Sequence, residues 1–561
     1  MALFLPMAFI SLIYPRPPTP KTEFQSLPAE IKLLIIEQLG HDSLTLSRLA
    51  ACNSQLYHMA MPALYGNVSL RAPPRYRIWP GFAFPADRRC IERFLFTILR
   101  NPHIARLVKS LDLTDLHELC SAHRQSHTQP QRRDLGLQPL HPRDHKMIMA
   151  AGMNLPLYPA LRVLLLTALG PDVPRSDALL AVLLGYLPSL QRLEISMEHE
   201  DPYGDPQITD WNLVERVLMG IASARPIHID GNGIITSSTP VLPKLTHLKA
   251  EINEDLPSAD IDWLMVLLQI PTLTHVFGTK WTNAVRWLRP GFINADRLVH
   301  LELRECTFDA QSLERLLKQT RKLQTFIYQR GWTKRVDWVV KASELTHALQ
   351  CTSKTLTRLE LSFNRSDRRI NEAMYLQPLD LSGLVHLKRL RLSASYLVQT
   401  EEKMACYKGR RYRSLYDEDG VYNSAKSLHH LLPKSLEELH IFQVHDGLEF
   451  SLMSHKLCES LWTRTLPVLS ERQLQRLNEI IIEAPFEDRS VFVFEALSKA
   501  TNQVGVKLTT IENSADYIRS WITGRKKKAC PEKKINWGFD GEIQWAHPFT
   551  QRGADSQVKF R

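Results

Sequence analysis

The chain has 561 residues, 44% of them hydrophobic and 23% charged, and its formal net charge is +11. This length exceeds one ordinary compact core and predicts several domains or a repeat array, while the hydrophobic content excludes a disordered chain. The eight cysteines form no CxxC pair, which excludes zinc-finger spacing and favours a reducing compartment. Because no basic stripe is interleaved with aromatic residues, we interpret the positive charge as a solvated surface and do not expect nucleic acid as a partner.

The first fourteen residues are apolar, and a proline-rich segment follows at residues 15–20. A signal peptide is disfavoured because no basic residue precedes the apolar run and no clear small-residue cleavage site follows it. The run is also too short to cross a bilayer, so we expect no membrane contact. We interpret residues 1–22 as a flexible lead.

Residues 24–65 carry the pattern of three short helices. Pro28 suits the first turn of the first helix, where its missing N–H loses no hydrogen bond. Asp42 is placed to cap the second helix and Asn53 to cap the third, which we expect Pro62 to close. Apolar residues recur at helical spacing on one face of the first helix: Ile31, Leu34, Ile35 and Leu39.

This stretch resembles an F-box, the module that docks on the Skp adaptor of cullin–RING ubiquitin ligases. The resemblance rests on residues 27–31, the apolar run at 33–36, Leu39, the pair Leu46 and Leu49, and the closing residues 62–65. It implies that the apolar face binds the adaptor through Leu27, Pro28, Ile31, Leu34, Ile35, Leu39 and Leu49. The alternative is an ordinary three-helix cap on a larger core.

After a linker and a helix from about residue 91 to residue 100, the pattern L-x-x-L-x-L recurs along the chain. Clear copies begin at Val108, Leu161, Leu190, Leu298, Leu356, Leu387 and Leu436, and weaker ones at Leu245, Leu273 and Leu323. Helical patterns lie between them at residues 178–184, 262–268 and 312–317. Strand plus helix, repeated over about residues 108–482, resembles a leucine-rich repeat solenoid. The alternative is a set of unrelated amphipathic segments. Three copies place an Asn or Cys where that family satisfies backbone groups of the turn: Asn253, Cys306 and Asn364.

The predicted fold is therefore α/β, a short three-helix F-box followed by a solenoid with one strand and one helix per repeat. The predicted boundaries are a lead at 1–22, the F-box at 23–66, a linker and helix at 67–102, the solenoid at 103–500 with loop insertions at about 121–147 and 398–425, and a C-terminal cap with a basic tail at 501–561.

Alternation along a strand places the residue between its last two leucines on the face opposite the core, the concave face of a solenoid. We predict target binding by these residues and one neighbour: Glu194, Lys249, Glu302, Arg304, Glu360, Arg391 and His440. With Lys388 and Arg389, Arg391 is also a candidate phosphate site.

Motifs for metalloprotease, nucleotide-binding and serine-hydrolase chemistry are missing from the sequence, so we expect no catalytic residue, cofactor or metal. His117, Cys120 and His123 form a weak metal-binding string, on which an enzymatic reading depends. The resemblance implies a substrate-recognition subunit of a Skp–cullin–F-box ubiquitin ligase, in the cytoplasm or nucleus. The alternative function is a leucine-rich repeat scaffold without a ligase link.

Overall fold

The computed structural model describes residues 24, 27–40, 42–70, 86–114, 140–155, 157, 159–170, 174, 176–197, 218, 242–252, 259–260, 264–265, 267–268, 270–282, 295–331, 340–363, 379–398, 428–442, 444, 447–462, 474–484 and 491–512. Two compact units divide the chain, unit 1 within Met1–Val340 and unit 2 within Lys341–Arg561. Both are α/β and contain parallel strands, as the sequence predicts.

Unit 1 opens with three helices, α1 (Ala29–Gln38), α2 (Ser43–Ala50) and α3 (Ser54–Gly66), which we call the helical module. Both predicted caps are confirmed. Asp42 Oδ1 accepts a hydrogen bond from the backbone N–H of Thr45 at 3.0 Å, and Asn53 Oδ1 accepts one from that of Leu56 at 2.8 Å. Each cap satisfies one N–H group that a helix start leaves without an internal partner.

Pro62 does not close α3, contrary to our expectation, but lies inside it. A proline removes the hydrogen bond to the carbonyl four residues earlier, here that of His58, and normally kinks or ends a helix. The turn is held by packing instead, because Ala60 and Met61, the two residues before this position, are buried. The helix therefore continues to Gly66, and a strand begins at the next residue.

The described strands of unit 1 pair in parallel in the order β1-β2-β3-β4-β6-β8-β9, and β5 pairs with β7 in a separate two-stranded sheet. Their bounds are β1 Asn67–Ser69, β2 Ser110–Leu113, β3 Arg192–Met197, β4 His247–Ile252, β5 Ala259–Asp260, β6 His275–Thr279, β7 Trp281–Thr282, β8 His300–Cys306 and β9 Thr325–Arg330. The helices between them are α4 Ala86–Arg100, α5 Pro102–Ala105, α6 Pro142–Asn154, α7 Pro159–Ala168, α8 Ser176–Gly185 and α9 Ala310–Lys318.

The copy predicted to begin at Leu161 is not a strand but helix α7. Pro159 stands at the first helical position, which suits proline. Leu161 and Leu165, four residues apart, are fully buried, whereas Val163 and Leu164 are exposed. That burial follows the period of a helix, and a short run of leucines fits either period in sequence.

Unit 2 contains helices α10 Ala342–Gln350, α11 Leu428–Leu431, α12 Gly447–Trp462 and α13 Val491–Gln503 in its described part. Its strands pair in parallel in chain order, with bounds β10 Arg358–Phe363, β11 Arg389–Ser393, β12 Glu438–Phe442, β13 Glu479–Ala484 and β14 Lys507–Glu512. The leucine pattern missed β1, β5, β7, β13 and β14, and the other described strands lie where the pattern predicts them. The helix predicted at residues 262–268 lies partly outside the described residues.

Equivalent residues of successive strands lie side by side. Leu193, Leu248, Val276 and Leu301 are register partners in β3, β4, β6 and β8, and all are buried in the core. Because side chains alternate along a strand, the residues between them lie on the opposite side of the sheet, which we call the polar face. The strand pairing thus sets charged residues of different repeats next to one another.

Cys306 at the end of β8 behaves as the repeat pattern predicts. Its Sγ accepts a hydrogen bond from the backbone N–H of Trp281 at 3.4 Å and donates to the carbonyl of Arg304 at 3.2 Å. Burial raises the pKa of this thiol well above its ordinary value, so it stays protonated. Asn253 and Asn364, the other two residues predicted for this position, lie outside the described residues.

Candidate functional site

The outer surface of the helical module carries large apolar side chains. In α1, Leu34 is 55% exposed, Ile31 41% and Leu33 43%, and in α2 Leu44 is 52% exposed. At 100° per residue, Leu34 lies about 180° from the midpoint of Lys32 and Ile36, the two buried residues of α1. We call these four exposed residues the apolar patch.

The structure sorts the seven residues predicted to bind an adaptor into two groups. Pro28, Ile31 and Leu34 are exposed on the module surface, whereas four others are half-buried: Leu27, Ile35, Leu39 and Leu49. The sequence analysis missed Leu33 and Leu44. The signal for Leu33 was present, since apolar residues from 33 to 36 occupy every side of a helix and one core cannot cover them all.

The core of the module explains why the patch faces outward. Ile36 of α1 is buried with Leu46 of α2 and Leu56 of α3, and these residues are close to fully inaccessible. Lys32, four residues before Ile36, is buried on the same face of α1. Lys32 and Ile36 therefore set the inward face of α1, and Ile31 and Leu34 of the predicted adaptor-binding face are turned toward solvent.

On the polar face of unit 1 the structure brings together Glu194, Lys249, Glu302 and Arg304. Glu194 and Lys249 are register partners, and Lys249 Nζ lies 3.4 Å from Glu194 Oε2 and 2.7 Å from Glu251 Oε1. Phe277 stands between Lys249 and Glu302 in the same row, with Lys249 Nζ 5.5 Å from its ring centre. Glu302 pairs with Arg304 of its own strand.

These charges do not form an open solvated surface. Lys249 is 4% exposed and Glu302 is 7% exposed. Burial alone would raise the pKa of Glu302, but hydrogen bonding from His300 and the Arg304 guanidinium outweigh it and lower the pKa to about 2. The row is therefore an internally neutralised network, because each buried charge lies against an opposite one.

In unit 2, Glu360, Arg391 and His440 are register partners on three adjacent strands. Arg391 Nη1 lies 3.0 Å from Glu360 Oε1, and Arg391 Nη2 lies 3.4 Å from Glu483 Oε1. His440 Nε2 lies 2.6 Å from the same oxygen of Glu483, and Arg391 also covers the ring of Phe442 at 4.3 Å. Burial would raise the pKa of Glu483, but His440 and Arg391 together lower it.

The candidate phosphate site is already occupied by carboxylates. Lys388 Nζ lies 3.1 Å from Glu437, and Arg389 Nε lies 3.8 Å from Glu438. Arg391 is held between Glu360 and Glu483 as described above. A phosphate would have to displace these carboxylates, so the structure disfavours this hypothesis.

Three histidines that the sequence analysis did not select form a stack on the polar face of unit 1. His247, His275 and His300 are register partners at the starts of β4, β6 and β8. The ring centres are 4.3 Å apart in the first pair and 5.5 Å apart in the second. A signal for them was readable, because each histidine directly precedes the first strand leucine or valine of its repeat.

Among the described residues, no group of three His, Cys, Asp or Glu is placed to hold a metal ion. The string of His117, Cys120 and His123 lies outside them. Within the same part of the chain, every helix is too short or too polar to cross a bilayer.

The described residues thus offer two surfaces: an apolar patch on a helical module, and a sheet face of paired charges and stacked imidazoles. The chain matches no model of a protein family, and no curated protein matches it.

Proposed function

We propose that this chain is the substrate-recognition subunit of a Skp–cullin–F-box ubiquitin ligase. The helical module would be the F-box and would dock on the adaptor, and the repeated strands would form a leucine-rich repeat solenoid that holds a target protein. The observation that carries this proposal is the apolar patch, because an adaptor-binding module must leave apolar side chains uncovered whereas a solenoid cap would bury them.

The patch has the chemistry of an interface centre. Burying one leucine or isoleucine side chain is worth roughly 1.5–3 kcal/mol, so the four residues together supply a substantial part of the free energy of a specific complex. Lys32 and Ile36 are buried on the opposite side of α1, which leaves Ile31, Leu33 and Leu34 for the partner. Association still costs rotational and translational freedom, so one charged substitution at the patch is expected to abolish binding.

Under this proposal the chain contributes to ubiquitin transfer only by bringing the reactants together. The adaptor joins the chain to a cullin, and transfer of ubiquitin is carried out by the RING protein and the conjugating enzyme. Holding a target beside them raises its effective concentration without any catalytic side chain from this chain.

The alternative function is a leucine-rich repeat scaffold in which the three helices only cap the array. Capping helices are expected at the end of such an array in either case. The direct continuation of α3 into β1, which pairs with β2, is compatible with a cap. The exposed patch favours the ligase subunit, since a cap gains nothing from four exposed apolar residues.

The test is binding of the purified full chain to a purified Skp-type adaptor, measured by calorimetry. The double variant Ile31→Asp and Leu34→Asp should lose binding while its circular dichroism is unchanged, because both side chains are exposed. The matched control is Val163→Asp and Leu164→Asp on α7, where two exposed apolar residues also lie on a helix of unit 1. Absence of binding by the unmodified chain, or equal loss in the control, would leave the scaffold as the function.

A further inference from the structure

The histidine stack belongs to a longer row at the starts of the strands in unit 1. Arg192 of β3 is the register partner of His247, and Thr325 of β9 is that of His300. The three imidazoles are half-buried, so their edges remain within reach of a partner. The charged groups beside them are Arg192 in the same row and Glu194, Lys249 and Glu302 in the next row of the polar face.

Threonine hydroxyls hold two of the imidazoles in place. Thr246 Oγ1 lies 2.8 Å from Nδ1 of His247, and Thr274 Oγ1 lies 2.9 Å from Nδ1 of His275. The same two hydroxyls lie 3.2 Å from the carbonyls of Gln191 and Thr246. Each ring is therefore tied to the backbone of the neighbouring repeat through one hydroxyl.

Burial, the neighbouring imidazoles and Arg192 lower the pKa of His247 and His275 to about 4. Both are therefore neutral near neutral pH when nothing is bound. A carboxylate placed beside them would favour their charged form and raise the pKa.

Permanent positive charges lie at the same end of the strands. The turns before β4, β8 and β9 are closed by the same backbone bond, from the N–H of Leu245, Leu298 or Leu323 to the carbonyl three residues earlier. The residue before each of these leucines is a cation: Lys244, Arg297 and Lys322. All three are exposed, and no carboxylate among the described residues forms a salt bridge with them.

We propose that this edge of unit 1 binds an acidic segment of a partner protein, with Lys244, Arg297 and Lys322 supplying permanent charge and the stacked imidazoles of His247 and His275 taking up protons as the segment docks. The inference rests on the proposed role of the strands in holding a target, but not on docking of the adaptor. Binding of the segment and binding of protons are linked, so affinity rises as the pH falls.

The dimensions favour a peptide over nucleic acid. The four strands from β4 to β9 span roughly 14 Å at the usual strand spacing, which suits a few residues of an extended chain. The row holds no Phe, Tyr or Trp, and His275 is stacked between His247 and His300, so both faces of its ring are already covered and a base has little ring surface on which to stack.

The experiment uses the full chain and a fluorescein-labelled peptide of alternating aspartate and glycine, followed by fluorescence anisotropy at constant ionic strength. Affinity should be at least about tenfold higher at about pH 5.5 than at about pH 7.5. Replacing the three turn cations (Lys244→Gln, Arg297→Gln, Lys322→Gln) should weaken binding about tenfold at both pH values. Replacing the imidazoles (His247→Asn, His275→Asn, His300→Asn) should leave binding at the higher pH within roughly twofold and remove the pH dependence.

The matched control removes three exposed cations from the turns before β10, β12 and β13 of unit 2: Lys354→Gln, Lys434→Gln and Arg476→Gln. Equal weakening of peptide binding in this control would show that the attraction depends only on the net charge of the chain, and it would overturn the proposal. A pH dependence that survives in the histidine variant would also overturn it, as would tighter binding of a single-stranded oligonucleotide of equal charge. Adaptor binding, measured on the same samples, reports separately on the proposed ligase function.

Discussion

At the scale of single residues, Arg391 shows how strand register turns surface charges into a buried network. Its guanidinium meets Glu360 from the preceding strand and Glu483 from the second strand after its own, and its plane covers Phe442. Glu360 is 3% exposed, so it relies on this cation for solvation. Removing one partner of a buried ion pair costs far more than the pair contributes, because the remaining charge stays buried without compensation.

We therefore expect Arg391→Met to lower the free energy of unfolding by about 3 kcal/mol. The control is Arg389→Met on the same strand, where the arginine is half exposed and lies 3.8 Å from Glu438. That change should cost less than about 1 kcal/mol, as surface pairs do. Urea unfolding followed by circular dichroism measures both. Adding Glu360→Gln to Arg391→Met should recover part of the loss, and no recovery would mean that packing on Phe442 dominates.

The histidine stack predicts acid sensitivity. The folded pKa of His247 and of His275 is about 4, below the ordinary value of 6.5, so between these pH values the unfolded chain binds more protons. The contribution of these two histidines to the free energy of unfolding should be fully present above about pH 6.5 and should decrease as the pH drops toward about 4. Melting temperatures of the unmodified chain and of His247→Asn with His275→Asn would reveal this, since the double variant should lose less stability in acid. His386→Asn, an exposed histidine before β11, is the control that should change nothing.

At the scale of elements, the N-terminal caps set the geometry of the module. Asn53 caps α3: its Oδ1 accepts a hydrogen bond from the backbone N–H of Leu56, which has no partner within the helix. Asn53→Ala should destabilise the module by about 1 kcal/mol, whereas Asn53→Asp keeps an acceptor and should be nearly neutral. Hydrogen exchange of the amides in the first turn of α3 measures the change. Equal protection in both variants would contradict the capping role.

Sequence predicted the elements better than it predicted their surroundings. The caps at Asp42 and Asn53 are local hydrogen bonds, so residue type and position sufficed to find them. Helix α7 was mistaken for a strand because Leu164 and Leu166, two residues apart, fit a strand, whereas Leu161 and Leu165, four residues apart, fit a helix. Pro159 was the additional signal for a helix. Glu483 was missed as a partner of Arg391 because it lies in β13, 92 residues later in the sequence. Only the pairing of the strands shows that the two side chains are close in space.

The same limit applies to the exposure of the predicted binding residues. Alternation correctly placed Glu194, Lys249 and Glu302 on the face opposite the leucines. Whether that face is solvated depends on the side chains of neighbouring strands. Phe277, for example, is the register partner of Lys249, but its own repeat carries no charge at that position to indicate a shared row. Periodicity describes one element at a time, and burial of a charge is decided by several.

At the scale of the whole molecule, the proposed function places two kinds of surface on one chain. The apolar patch lies within residues 31–44, and the edge with the stacked imidazoles lies within residues 244–325. The two surfaces share no residue, and their chemistries differ: one would bind by apolar burial and the other by charge. Substitutions in one surface should therefore leave binding by the other unchanged. The proximity mechanism can then be tested by disabling one surface at a time.

We expect ubiquitin transfer to depend on the patch even when the edge is intact. In a mixture of the full chain with adaptor, cullin, RING protein, conjugating enzyme and ubiquitin, transfer to lysines of the chain itself should occur and should be lost in Ile31→Asp with Leu34→Asp. The physical reason is that the module only raises effective concentration, so losing the tether returns transfer to its bimolecular rate. Gel mobility of the chain measures transfer, and the turn variant Lys244→Gln, Arg297→Gln, Lys322→Gln is the control that should retain it. Transfer that persists in the patch variant would show that the apolar patch is not the tether, even if adaptor and chain bind.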